Sequence, residues 1–224
     1  MERRTLLIFS LIISVVSLLY LLFSYFGFIR YFKLYYNPLE SYVNNYTKLD
    51  KADKDRVVIA FSAEEKDFKN LKPFINSILD QTVRVDDIAI TIPYKDTNKV
   101  PEELKKVLSV NGYSKDYEDA ANLVCSVLRE PENNTKIIIV EPNMIYGQDF
   151  VETMVDKSNE KENKAKVIFG SSSKEPKRGI LIKPQFFDDT ISKYQKGTGN
   201  KEWLNKCCKA KGICIEYNQV YPVL

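Results

Sequence analysis

The sequence of 224 residues contains no histidine. This absence excludes the most frequent general base, the commonest metal-ligating side chain, and the Ser-His and Cys-His nucleophile pairs. Any catalysis must therefore use carboxylates, Lys or Arg, Tyr, hydroxyls or Cys. The four cysteines lack the paired C-x₂-C spacing of zinc sites. Glycine and proline are scarce, at 8 and 9 residues, which excludes a collagen-like or low-complexity chain.

The charge is small overall but unevenly distributed. The net charge is +3, and hydrophobic residues make up 44% of the chain, so it is long and apolar enough to form a globular domain. Residues 34–156 hold 15 basic and 22 acidic side chains, whereas residues 157–211 hold 14 basic and 6 acidic ones. This asymmetry indicates an anionic ligand or surface for the second half, although a solvated basic face produces the same count. We find no nucleic-acid-binding motif and expect no nucleic-acid partner.

Charged residues are missing from one long stretch, residues 5–29, which is rich in Leu, Ile, Val and Phe. A bilayer-spanning helix needs about 20 apolar residues, whereas the core of a cleaved signal peptide has about 7–15. The stretch also ends in bulky residues instead of a small-x-small cleavage site. We therefore predict a tail at residues 1–4 and an uncleaved transmembrane anchor at residues 5–29.

The orientation of this anchor is not fixed by its flanking charges. Arg3 and Arg4 precede it, and Arg30 and Lys33 follow it, so the positive-inside rule gives almost no preference. Two N-x-Thr sequences, at Asn45 and Asn133, would accept glycans if the bulk of the chain faced a lumen. A type II protein of an ER- or Golgi-like internal membrane is the simplest arrangement.

Beyond the anchor, residues 30–55 are polar and predict a stem, and residues 56–224 predict one globular domain. In that domain apolar runs typical of buried strands alternate with amphipathic stretches, which predicts an α/β sheet with crossover helices. The predicted strands are Arg56–Ser62, Asp87–Pro93, Lys136–Val140, Lys166–Phe169, Gly179–Ile182 and Ile213–Tyr217. The predicted helices are Leu71–Leu79, Pro101–Leu108, Tyr117–Arg129, Asp149–Lys157, a segment near Gln185–Tyr194, and Lys201–Lys211.

Three segments, in this order, resemble a family of GT-A glycosyltransferases. Asn70–Thr82 contains a "SIL-x-QT" pattern, Ile137–Phe150 resembles the strand that delivers the family's Asp-x-Asp motif, and Gly179–Asp189 with the later Trp203 resembles the acceptor-side half. The resemblance covers most of residues 56–217. It implies a GT-A, Rossmann-like fold with a mixed, mostly parallel sheet, and a nucleotide-sugar donor bound where the strands end, near Ser62.

The chain departs from the family at the residues that carry its chemistry. The Asp-x-Asp position reads Glu141-Pro142-Asn143, which offers one carboxylate and one neutral carbonyl oxygen. Oxygen ligands of this kind suit Mn²⁺ or Mg²⁺, but so few of them predict only weak binding. The acidic pair expected before Trp203 is also missing. Glu202 is the one nearby carboxylate that could act as a base, although its helical position would rotate it by about 100°.

Two functions therefore remain open at this stage. In the first, the protein is a metal-poor glycosyltransferase in which Lys177 and Arg178 neutralise the donor diphosphate and Glu141 and Asn143 help to bind it. The acceptor would be a glycan, a lipid or a protein. In the second, the fold persists without catalysis, and the protein is a membrane-tethered binding or scaffolding protein.

Overall fold

A computed structural model describes most of the chain up to residue 160 and short segments beyond it. The described residues are 2–25, 27–114, 117, 120–160, 168–171, 179–187, 191, 193, 213–216 and 220–222. The chain forms two compact units, residues 1–38 and residues 39–224.

The first unit is dominated by helix α1, Glu2–Tyr25. Its segment Thr5–Tyr25 spans 21 residues, contains an 18-residue window with a mean hydropathy of 2.8, and has none of that window buried. At 1.5 Å per residue the segment is about 32 Å long, enough to cross the hydrocarbon core of a bilayer. A core helix would be buried, so α1 has the length, composition and exposure of a membrane anchor or a signal sequence. The helix ends four residues before the expected boundary, and Gly27, at φ 75°, separates it from helix α2, Phe28–Tyr36.

The second unit begins at Leu39, so it includes part of the segment that was expected to be a stem. Residues 39–46 form helix α3, Leu39–Tyr46, and bury three side chains, those of Leu39, Tyr42 and Tyr46. The buried Tyr46 hydroxyl accepts a hydrogen bond from the Val85 N–H at 2.7 Å. Three apolar side chains among polar neighbours are enough to fix a helix of two turns, and such a short pattern is easily missed in a sequence.

The segment after α3 is also held against the domain. The Ala52 N–H donates to the Arg84 carbonyl at 2.8 Å, and the Arg84 N–H donates to the Asp50 carbonyl at 2.9 Å. The Asp53 carboxylate lies 2.9 Å from the Lys136 ammonium, and the Lys136 side chain is 1% exposed. Residues 47–55 therefore belong to the folded unit and contribute a buried charge to it.

In the described part of the chain, the strands are β1 Val57–Ser62, β2 Asp87–Pro93, β3 Ser109–Tyr113, β4 Lys136–Ile139, β5 Met144–Tyr146, β6 Ile168–Ser171, β7 Ile180–Ile182, β8 Ile213–Glu216 and β9 Val220–Pro222. Seven of them form the core of the second unit, a mixed, mostly parallel sheet in the order β3-β2-β1-β4-β7-β6-β8. Strand β7 is antiparallel to both of its neighbours, and the other pairs in this sheet are parallel. A separate antiparallel pair joins β5 to β9.

Helices connect the parallel strands, as the alternating sequence pattern predicted. They are α4 Leu71–Leu79, α5 Glu102–Lys105, α6 Ala121–Arg129 and α7 Phe150–Glu160, with 3₁₀ turns at Glu65–Asn70, Tyr94–Lys99 and Pro184–Phe186. The prediction of an α/β, Rossmann-like fold is thereby confirmed. The helix expected over residues 101–108 is only one turn long. Strands β3, β5 and β9 were not predicted. The helix expected at Lys201–Lys211 lies outside the described residues.

Candidate functional site

The candidate site lies where the parallel strands end. Strands β1 and β4 are adjacent, with Ala60 opposite Ile139, and the Val140 N–H still donates to the Ala60 carbonyl at 2.9 Å. Ser62 and Glu141 each follow this pair by two residues, so both leave the sheet at the same edge. In open α/β sheets ligands bind outside this edge. The sheet therefore brings two of the predicted site residues together.

Glu141 opens a tight turn that ends at Met144. The Met144 N–H donates to the Glu141 carbonyl at 3.2 Å. Pro142 occupies the second position of this turn, where its fixed φ is favoured. The Glu141 side chain is half-buried and that of Asn143 is exposed. The degenerate Asp-x-Asp position is therefore a well-formed turn that presents one carboxylate and one amide to solvent.

A buried tyrosine fixes the start of this turn. The Tyr146 hydroxyl accepts a hydrogen bond from the Glu141 N–H at 2.9 Å, and the Tyr146 side chain is fully buried. Its ring packs against those of Phe74 and Phe150, with centroids 6.2 and 4.5 Å away. Because the phenol is held on both sides, the backbone at Glu141 has little freedom to move.

The "SIL-x-QT" segment supports the same turn from behind. The Ser77 hydroxyl donates to the Phe74 carbonyl at 2.7 Å and accepts from the Tyr146 N–H at 3.2 Å. The Gln81 amide donates to the Gly147 carbonyl at 2.7 Å, and its oxygen accepts from the Val151 N–H at 3.0 Å. Both side chains are buried. Ser77 and Gln81 of this motif therefore have a structural role, since their hydrogen bonds connect α4 to the segment that follows Glu141.

Strand β7 begins at the same edge. Strand β7 runs antiparallel to β4 with Ile180 opposite Ile139, so its first residue lies where β4 ends. Gly179, just before it, has φ 104°, and an added Cβ would come within 2.7 Å of the Phe150 ring. Both the backbone conformation and the close contact require glycine here. The basic residues Lys177 and Arg178 lie outside the described residues, as does the candidate base Glu202.

Tyr94 is a candidate site residue that the sequence analysis missed. It directly follows β2, and its side chain is 72% exposed. The ring lies against the backbone of Gly112, where an added Cβ would come within 2.8 Å of it. An aromatic residue directly after a buried strand was the signal available in the sequence. The tyrosine presents an open ring at the edge where Ser62 and Glu141 emerge.

The loop after β1 is acidic, and the described side chains neutralise much of its charge. Glu64 and Asp67 form a capping box at the start of the 3₁₀ turn. The Lys99 ammonium lies 2.6 Å from Glu65 and 2.9 Å from Asp96. The hydrogen bonds that the Lys99 ammonium donates to Glu65 and Asp96 raise the pKa of Lys99 above its usual range. Lys99 is therefore already paired with two carboxylates.

The described residues do not suit a closed divalent-metal site. Among them, no group of three or more Cys, Asp or Glu side chains could hold a metal ion. Glu141 is the one carboxylate of its turn, and hard cations such as Mg²⁺ need about six oxygen ligands. The side chains in the described residues therefore do not fit a tightly bound Mg²⁺ or Mn²⁺.

Both predicted glycan acceptors are accessible. Asn45 lies near the end of α3 and is exposed, and Asn133 is exposed in the loop before β4. Thr135, the hydroxyl residue of the second sequence, is fully buried. A glycan attached before folding could be accommodated at either asparagine.

Comparison with known proteins identifies the fold. No protein-family model and no curated protein matches the sequence. Rv0371c from Mycobacterium tuberculosis H37Rv superimposes with a TM-score of 0.54 at 7% identity, covering 76% of this chain and 94% of that protein. A 4-diphosphocytidyl-2C-methyl-D-erythritol synthase superimposes with a TM-score of 0.54 at 8% identity, covering 74% of this chain and 90% of the synthase. The chain shares their fold. At this identity the likeness extends to the fold alone.

Proposed function

We propose that the protein is a membrane-anchored transferase that binds a nucleotide-linked sugar at the carboxyl edge of its sheet and transfers the sugar to a glycan, lipid or protein acceptor. The observation that carries the proposal is the Glu141–Met144 turn, held by buried Tyr146 beside the end of β1. A turn that is braced from behind and open in front is typical of a binding site. One neighbour in fold is named for a diphosphocytidyl product, which supports a nucleotide-derived ligand.

Each residue has a role in this proposal. The nucleoside base stacks on the open ring of Tyr94. The Ser62 hydroxyl and the Asn143 amide bind the sugar and phosphate oxygens, and the Glu141 carboxylate accepts hydrogen bonds from the ribose hydroxyls. Lys177 and Arg178 neutralise the diphosphate as it leaves, since both side chains suit phosphate oxygens. The acceptor oxygen attacks the sugar carbon, the bond from that carbon to the phosphate oxygen breaks, and Glu202 takes the acceptor's proton.

We expect little dependence on divalent cations. Glu141 and Asn143 are the residues that would hold Mn²⁺ or Mg²⁺, and one carboxylate with one amide binds such ions weakly. If Lys177 and Arg178 replace the cation, donor binding needs no added metal. Strong stimulation by Mn²⁺ would contradict this part of the proposal.

A second candidate is a catalytically inactive protein that still binds a nucleotide. The single carboxylate of the Glu141–Met144 turn favours it, because both the metal-binding position and the base position depart from the family pattern. The two candidates predict similar binding and differ in turnover.

In either case the chain is anchored by α1 in a type II orientation, with its second unit in a lumen. Sensitivity of glycans on Asn45 or Asn133 to endoglycosidase tests that orientation.

The experiment measures hydrolysis and transfer from a set of uridine, guanosine and cytidine diphosphate sugars by the full chain in detergent. Glu141→Ala should lower the rate by tenfold to hundredfold, as expected for a charge-assisted interaction of about 1.5–3 kcal/mol. The matched control is Glu132→Ala, an exposed glutamate before the opposite end of β4. Binding without turnover favours the inactive protein, and equal effects of the two variants contradict the proposed site.

A further inference from the structure

Helix α2 exposes aromatic side chains that a soluble surface would not favour. Phe28 is 48% exposed, Phe32 56% and Tyr36 77%. Their spacing of four residues places them along one side of the helix. The rings of Phe32 and Tyr36 are stacked with centroids 6.2 Å apart, so they form a continuous apolar stripe.

The other side of α2 is polar or buried. Leu34 is fully buried. Tyr31 and Tyr35 are half-buried, and the Tyr31 hydroxyl donates to the Tyr35 hydroxyl at 3.3 Å. The exposed side chain of Lys33 lies beside the stripe. In most helices of soluble proteins the apolar side is buried, whereas α2 has its aromatic side exposed and a lysine next to it.

The position of α2 in the chain indicates what covers this stripe. The apolar helix α1 ends at Tyr25, and only two residues separate it from Phe28. Gly27, at φ 75°, accepts a hydrogen bond from the Tyr31 N–H and makes the bend between the helices. If α1 crosses the bilayer, α2 therefore begins less than one helical turn after the end of the membrane span. It then lies at the membrane surface, where aromatic and basic residues are most favourable.

We propose that α2 lies in the headgroup region of the membrane, with Phe28, Phe32 and Tyr36 inserted among the lipids and Lys33 beside an anionic headgroup. The inference rests on the proposed membrane anchor and extends it. The aromatic rings enter about 5–10 Å into the headgroup and acyl boundary. This second contact restricts the orientation of the chain at the point where it leaves the membrane.

The test uses the full chain in vesicles of phosphatidylcholine with a minority of phosphatidylserine. Trp203 is the one tryptophan and is replaced by phenylalanine. Single probes are then introduced by Phe32→Trp in the stripe and Val15→Trp in the middle of α1. Tyr94→Trp, at an exposed position in the second unit, is the matched control. Quenching is measured with lipids brominated near the glycerol end or near the methyl end of the acyl chain.

We expect bromine near the glycerol end to quench the Phe32→Trp probe roughly twofold more strongly than bromine near the methyl end, because the probe lies at an interfacial depth. The Val15→Trp probe should respond to the deep bromine, and the Tyr94→Trp probe only to aqueous iodide. Quenching at Val15 without quenching at Phe32 overturns the inference and leaves the anchor intact. Protection of Phe32 from both lipid bromine and iodide also overturns it, since protein would then cover the stripe. Absence of quenching at Val15 overturns the anchor itself.

A second measurement keeps Trp203 unchanged. Trypsin cleaves after Arg30 and Lys33, and insertion of α2 should protect both bonds in vesicles. Replacing Phe28, Phe32 and Tyr36 by serine should raise the cleavage rate roughly tenfold, because the helix then leaves the lipid. Equal cleavage rates for the native protein and the triple variant contradict insertion.

Discussion

The buried ion pair between Asp53 and Lys136 gives a sharp test of where the folded unit begins. The two charges lie 2.9 Å apart, and the Lys136 side chain is 1% exposed. Asp53→Asn leaves the lysine charge buried without its partner. Breaking a buried pair in this way typically costs about 3–5 kcal/mol. Asp55 lies 3.6 Å from the same ammonium and can compensate in part, so we expect about 3 kcal/mol.

The control is a solvent-exposed pair in the same region. Lys51 lies 2.6 Å from Asp86 with its side chain 53% exposed, and such pairs contribute about 0–1 kcal/mol. Lys51→Gln should therefore have little effect. Adding Lys136→Met to Asp53→Asn should recover most of the loss, because the unpaired charge is removed. Urea unfolding of the full chain in detergent, followed by circular dichroism, gives the four free energies of unfolding. A loss below about 1 kcal/mol for Asp53→Asn would show that residues 47–55 are a spacer after all.

Three further outcomes follow from the same contacts. Although burial raises the pKa of Asp53, hydrogen bonds from Asn159, the Asp55 N–H and Lys136 lower this pKa to about 2. The ionised Asp53 therefore contributes its full stabilisation above about pH 4 and loses it as the pH falls towards 2. The free energy of unfolding measured across this pH range tests the effect. Gly179→Ala should lower the free energy of unfolding by about 1–3 kcal/mol, since φ 104° and the Phe150 ring both oppose a side chain; no loss in urea unfolding would contradict this. Tyr94→Ala should weaken nucleotide binding roughly tenfold, whereas Tyr94→Phe should retain it; calorimetry that finds equal losses would contradict stacking.

The sequence predicted the strands of the sheet well where a run is short and apolar, as a buried strand is. The run at residues 57–62 is fully apolar in the middle, that at residues 87–93 is apolar there except for Thr91, and the structure places β1 and β2 at these positions. Strand β3 was missed because Ser109-Val-Asn-Gly-Tyr113 is half-polar and becomes a strand only by pairing with β2. Helix α3 was missed for a similar reason, since its burial depends on contacts from distant residues.

The candidate site was predictable in part. The positions of Ser62 and Glu141 follow from parallel strands, because their carboxyl ends meet at one edge. The roles of Ser77 and Gln81 did not follow from the sequence. A motif that resembles one of a family does not show whether its side chains contact a ligand or hydrogen-bond a neighbouring backbone segment. Tyr94 was missed because its exposure depends on the glycine at position 112 of the neighbouring strand.

If the Glu141–Met144 turn forms part of a nucleotide diphosphate site that needs little metal, the unmodified protein should bind such nucleotides without an added cation. Calorimetry on the full chain in detergent, with uridine, guanosine and cytidine diphosphates, measures this binding. We predict binding at roughly 0.1–1 mM, little gain with Mn²⁺, and at least tenfold weakening by Glu141→Ala but not by Glu132→Ala. Cation-dependent binding should rise when Glu141→Asp, Asn143→Asp and Lys201→Asp are combined. Tight binding that requires Mn²⁺ in the unmodified protein, or no binding of any of the three nucleotides, would contradict this prediction.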